Sequence, residues 1–215
     1  MNQKVMLINV EVVATSYIEK FKQFHNLLTN NTFEIPNDFF ESAISAGFEQ
    51  KEKTNFRYPR FDLFNLELKK IYDDVNHDIH PNNKTLVHLV NLAKKYDYKI
   101  AFIFDQTKKQ GFHLEKILID WISDGVVLFG DQSLLGKPEP NLYVRAIKHF
   151  SANSNHTLVI DSSRNGILAS HLAHARSIYI DHGLGITERI FKYSTYQASD
   201  VNDVDRIINS MNNEK

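Results

Sequence analysis

The sequence predicts an α/β fold: a parallel sheet covered by helices on both faces, with a helical domain inserted after the first strand. Three observations carry this. Short apolar runs (VMLI, KIAFIF, VVLF, TLVI, SIYI) recur along the chain. Stretches with helical periodicity separate the later ones, as strand–helix–strand crossovers require. The first and second runs are parted by a long region with helical periodicity only.

Val5 to Ile8 is the first strand. Tyr17 to Asn30 has Ile18, Phe21, Phe24, Leu27 and Leu28 at amphipathic spacing, and Asn30-Asn31-Thr32 ends it. Pro36-Asn37-Asp38 reads as a turn or helix start, with Phe39, Phe40 and Ile44 as its apolar face. Phe61 to Val75 is a further helix. Lys84 to Tyr96 is helical, with Leu86, Leu89, Val90 and Ala93 inward, and Lys99 to Phe104 is a buried strand. Leu114 to Trp121 reads as helix, Val126 to Phe129 as strand and Asn141 to Phe150 as helix. Thr157 to Ile160 and Ser177 to Ile180 are strands flanking a helix at Asn165 to Ala175, and Asp203 to Met211 is the last helix. The expected domains are a Rossmann-like core of residues 1–15 and 81–215, and a helical cap of 16–80.

Composition narrows the function classes. The formal net charge is −1 over 215 residues and no Lys/Arg block stands out, which argues against nucleic-acid or membrane-surface binding. There is no cysteine, so disulfides, thiolate nucleophiles and thiolate-bound metals are excluded. No apolar run approaches membrane-spanning length, and the N-terminal run breaks too early for a secretion signal. A soluble, cytoplasmic protein is the expectation.

In open α/β sheets ligands bind beyond the carboxyl ends of the strands. The residues at those ends are Asn9 and Glu11, Asp105 and Gln106, Gly130 and Asp131, Asp161 and Ser162, and Asp181 and His182. The segment LGKPEPNLYVRAIKHF, followed by a strand and then Asp-Ser-Ser-Arg-Asn-Gly-Ile, resembles the haloacid dehalogenase superfamily. It is most similar to the branch of small-molecule phosphatases and phosphomutases, such as phosphoglycolate phosphatase and beta-phosphoglucomutase. The resemblance runs nearly end to end, including a cap after the first strand.

That family's first motif is Asp-x-Asp, whose first aspartate is phosphorylated and whose second is the general acid/base. Asn9 and Glu11 stand in those places here, with Val12 and Val13 where Gly-Thr is usual. The second motif ends a strand in Thr or Ser, which hydrogen-bonds the phosphoryl group; Phe104 and Asp105 occupy it. The third motif is the lysine of Gly-Lys-Pro, kept as Lys137. The fourth is an acidic pair that holds Mg²⁺. Counting back from Gly166 and Ile167 places it at Asp161 and Ser162, so the first acid is kept and the usual direct ligand is serine. A one-residue shift would bring Asp161 into the ligand role but leave Gly166 where an apolar helix residue belongs.

Each departure has a chemical consequence. A neutral amide is a poor nucleophile beside a carboxylate. Mg²⁺ seeks hard anionic oxygens, and Asn9 and Ser162 remove two charges from that set. Glu11 keeps acid/base capacity, with a carboxyl displaced by one methylene. Phe104 has no hydrogen-bond donor to offer. The resemblance, with these changes, implies a catalytically impaired pseudo-phosphatase with a binding or regulatory role, for a small phosphorylated metabolite, an anion or a protein partner, and with no cofactor. The alternative is an Mg²⁺-dependent hydrolase with an atypical site: Glu11 as acid/base, Lys137 on the phosphate, Asp161 on the metal among the family's metal positions Asn9, Glu11, Asp161 and Ser162, and Asn9 either orienting water or standing as an engineered substitution for Asp.

Other features read more plainly. His171 and His174 lie three apart on a helix with no carboxylate to complete a metal set. His77, Asp78 and His80 read as linker polarity, and Asp181 to Gly185 lacks a dinucleotide fingerprint. Arg57 and Arg60 in the cap would meet a phosphorylated ligand by resemblance, or simply form a solvated turn. The cap phenylalanines are accounted for by packing.

Overall fold

The computed structural model describes residues 3–13, 83–105, 108–133, 137–181 and 192–213. The expected cap at 16–80, with Arg57 and Arg60, falls outside the described residues. The described chain forms β1 (Lys4–Asn9), a short α1 (Val10–Val13), α2 (Lys84–Lys95), β2 (Tyr98–Ile103), α3 (Lys108–Ile119) and β3 (Val126–Leu128). These are followed by α4 (Asn141–His149), β4 (Thr157–Asp161), α5 (Arg164–Leu172), β5 (Arg176–Ile180), β6 (Tyr196–Ala198) and α6 (Asp203–Asn213).

The six strands make one sheet in the order β3-β2-β1-β4-β5-β6, and every pair is parallel. Chain order runs outward from β1 in both directions. The switch in direction therefore lies between β1 and β4, where a parallel sheet opens a crevice for ligands.

Side chains alternate across the sheet with a period of two. On one face Val5, Leu7, Ala101, Ile103 and Val159 pack with Leu142 and Tyr143 of α4 and Ala169 of α5. On the other, Met6, Ile8, Phe102, Ile160 and Ile178 pack with Leu89 of α2, Leu114 of α3 and Ile208 of α6. Burial on both faces explains why the strands read as continuous apolar runs.

Three elements differ from the sequence expectation. α3 begins at Lys108, six residues before the apolar pattern, because Asp131 Oδ1 accepts a hydrogen bond from the Lys108 N–H at 2.9 Å and so satisfies an otherwise orphaned helix donor. Gly111 then lets the helix approach the sheet, since a Cβ there would lie 2.3 Å from Phe129 Cε1. α1 and β6 are too short, at four and three residues, to leave a periodic signature. Among the described residues no helix is long and apolar enough to cross a membrane.

Candidate functional site

Register and parity assemble the site. Asn9 ends β1, Asp161 ends β4, and Ile8 pairs with Ile160, so the two polar residues leave the sheet side by side. Asn9 continues the Val5, Leu7 row and Asp161 the Val159 row. Asp105 continues the Ala101, Ile103 row of β2. All three belong to the sheet face that α4 covers.

Phe104 has the opposite parity. Its ring is buried in the other core layer and stacks on Phe129 with centroids 5.1 Å apart. Of the two second-motif positions, the fold therefore brings Asp105 to the site and commits Phe104 to packing.

Asn9 Nδ2 donates to Asp161 Oδ2 at 2.9 Å and to Asp105 Oδ2 at 3.2 Å. Lys137, from the loop before α4, places Nζ 3.0 Å from Asp105 Oδ1 and 3.0 Å from Asp161 Oδ2. The Lys137–Pro138 peptide is cis. Tyr143, on the inward face of α4, donates its hydroxyl to Asp161 Oδ2 at 2.7 Å, and its ring centroid lies 5.3 Å from Lys137 Nζ. Ser163 completes the set: its backbone N–H and its hydroxyl donate to Asp161 Oδ1 at 2.7 and 2.8 Å. The same hydroxyl accepts from Gly166 N–H at 3.0 Å, capping α5.

Asp161 is fully buried yet well solvated by the protein. Burial pushes its carboxyl pKa up, but the Lys137 charge and the hydrogen bonds from Tyr143, Asn9 and Ser163 outweigh that and hold it below the ordinary aspartate value. Burial likewise pulls Lys137 down, while Asp105 and Asp161 together carry it well above the usual lysine value. Burial raises the Tyr143 phenol well above its ordinary value and the neighbouring Asp161 charge adds to this, so the hydroxyl stays a donor. Gly166 is explained by the same cluster. A Cβ there would sit 1.9 Å from Asp161 Oδ2, so an apolar residue at that position would displace the carboxylate.

One atom is left over. Asn9 is fully buried and its Oδ1 has no hydrogen-bond partner among the described residues, an arrangement that costs about 1–3 kcal/mol. Ser162 is also buried. Glu11 lies in α1, and its side chain is outside the described residues.

Mg²⁺ requires near-octahedral oxygen coordination. Among the described residues no group of three or more His, Asp or Glu side chains is placed to hold a metal. Both Asp161 oxygens already accept from N–H and O–H donors, and Asp105 is engaged by Lys137 and Asn9. The described donor set does not fit this ion.

Neither Tyr143 nor Ser163 stands out in the sequence as a site residue. Both left a signal. A tyrosine on the inward stripe of the helix following Gly-Lys-Pro must find a partner for its hydroxyl, and a serine just before a helix is a capping residue.

No protein-family model matches the sequence, and no curated protein matches it significantly. Solved structures match it nearly end to end. A haloacid dehalogenase-like protein of Agrobacterium tumefaciens superposes with a TM-score of 0.68 at 13% identity, covering 97% of this chain and 99% of its own. The fold is haloacid dehalogenase-like. A hydrolase of Pseudomonas syringae shares this haloacid dehalogenase-like architecture with a TM-score of 0.66 at 16% identity, covering 97% and 99% of the two chains. So does an aspartate-to-asparagine variant of CbbY from Rhodobacter sphaeroides in complex with xylulose 1,5-bisphosphate, with a TM-score of 0.61 at 15% identity and coverage of 94% and 95%. At such identities the likeness carries the superfamily fold and does not distinguish a branch within it.

Proposed function

We propose that this chain is a non-catalytic member of the phosphatase and phosphomutase branch of the haloacid dehalogenase-like superfamily, with a binding or regulatory role. One observation carries the proposal: the Asn9 side chain, at the nucleophile position, spends its nitrogen as a bridge between Asp105 and Asp161. An amide carries no charge, and its oxygen, although unpartnered among the described residues, is a far poorer nucleophile than a carboxylate. Asp105 adds to this, because its carboxylate repels a phosphoryl group, and Phe104, in the place of the family's Thr or Ser, has no hydroxyl to donate.

The ligand in this reading is a small phosphorylated metabolite. The CbbY complex shows an asparagine-bearing chain of this fold with a sugar bisphosphate. Here Lys137 is already engaged by two carboxylates, and by the family resemblance Arg57 and Arg60 are the cations proposed for the phosphate. The test is turnover of a panel of phosphate monoesters with Mg²⁺, alongside thermal shift with the same panel. The expected result is no turnover above background, with a rise in Tm for one ligand class that is lost in Arg57→Ala/Arg60→Ala. Turnover by the unaltered chain would instead establish the hydrolase reading, with Glu11 as acid/base.

A further inference from the structure

Among the described residues the strand-end cluster holds two carboxylates with one ammonium and one amide. Asp105 and Asp161 contribute two negative charges and Lys137 one positive, and the Asn9 amide supplies N–H donors to both carboxylates. Where carboxylates crowd one strand end, something positive must hold them together, because like charges in a buried site raise each other's energy. We propose that the Lys137 ammonium and the Asn9 amide together perform this holding here, so that the site is a metal-independent polar lock joining β1, β2 and β4.

Three features of the arrangement support this. The donors are placed as a bridging cation would be: Nδ2 of Asn9 and Nζ of Lys137 each touch both carboxylates, at 2.9 to 3.2 Å. Asp161 is fixed from its other side by Tyr143 and Ser163, so it cannot swing away from an added charge. The Asn9 Oδ1, unpartnered among the described residues, marks a buried position where an oxygen already stands without a donor. In Asn9→Asp that oxygen remains, the bridging N–H groups vanish, and three carboxylates surround one ammonium.

The inference concerns stability, and it stands whether or not the chain binds a phosphorylated ligand. The experiment compares thermal unfolding of the parent, Asn9→Asp, Asp105→Asn and the double variant Asn9→Asp/Asp105→Asn. Each is measured at pH 8 in EDTA and in millimolar Mg²⁺, with ionic strength matched by NaCl. The parent and Asp105→Asn are expected to show the same Tm in EDTA and in Mg²⁺. Asn9→Asp should lose roughly 6–20 °C in EDTA, the range for disrupting a buried charged cluster in a chain of this size. The double variant, with two carboxylates again, should regain most of the loss in EDTA. A parent stabilised by Mg²⁺, or an Asn9→Asp chain as stable as the parent in EDTA, overturns the inference. If Asn9→Asp does not fold, the double variant decides: folding in EDTA supports charge balance as the cause, and failure to fold overturns it.

Discussion

At the scale of single residues, the site is organised around Asp161. Removal of any one donor leaves a buried charge less well held, and Tyr143 gives the cleanest test because Phe preserves the ring and its packing. A hydrogen bond to a charged group contributes about 1.5–3 kcal/mol. Tyr143→Phe should therefore lower the stability in urea unfolding by an amount near the lower end, since four other donors to Asp161 remain. The slope of the transition should not change. The effect should shrink in an Asp161→Asn background, because the two side chains act through one hydrogen bond. An unchanged midpoint, or full additivity with Asp161→Asn, would mean the hydroxyl contributes nothing through Asp161. At this scale the sequence was informative about which strand ends matter and silent about geometry. Asn9, Asp105, Lys137 and Asp161 could be named from motif spacing. Parity along β2 already separates Phe104 from Asp105 in the sequence, since Ala101, Ile103 and Asp105 fall on alternate positions. Tyr143 and Ser163 were hidden because their apolar packing and capping roles account for them without reference to a site.

At the scale of elements, long amphipathic helices and apolar strands were legible, and starts set by a single polar contact were not. α3 depends on Asp131, which is 23 residues away along the chain, so no local pattern announces where it begins. The docking of α6 shows how such contacts work. Asp205 accepts from Lys95 Nζ at 2.9 Å and from the Tyr96 hydroxyl at 2.7 Å, tying α6 to the end of α2. These bonds hold the Asp205 carboxyl below its ordinary value of 3.8, with the Lys95 contact the larger cause. A depressed folded-state pKa means the contact stabilises above pH 3.8 and loses its effect as pH falls through the folded-state value. Asp205→Asn should accordingly reduce amide protection in α6 at pH 6 and narrow the difference from the parent below pH 3.8. Equal protection in both chains at pH 6 would show that apolar packing of Val204, Ile208 and Met211 docks the helix alone.

At the scale of the whole molecule, the polar cluster is mounted on the middle of the sheet. β1 pairs with β2 on one side and β4 on the other, and β4 is buried at all five positions. β3 and β6 lie at the two edges with three residues each. Alternating runs in the sequence imply a parallel sheet, but strand order depends on long-range register, which local patterns do not encode. Central strands open only with global unfolding, and edges open through smaller excursions. Native-state hydrogen exchange should therefore give β1 and β4 amides the full unfolding free energy, and β6 amides a clearly lower value. If β6 exchanged at the same free energy as β1, the sheet would unfold as a single unit and edge position would have no local consequence. The expected gradient bears on the polar cluster. Asn9 and Asp161 end the two strands least able to open, so the fold itself holds these groups in place.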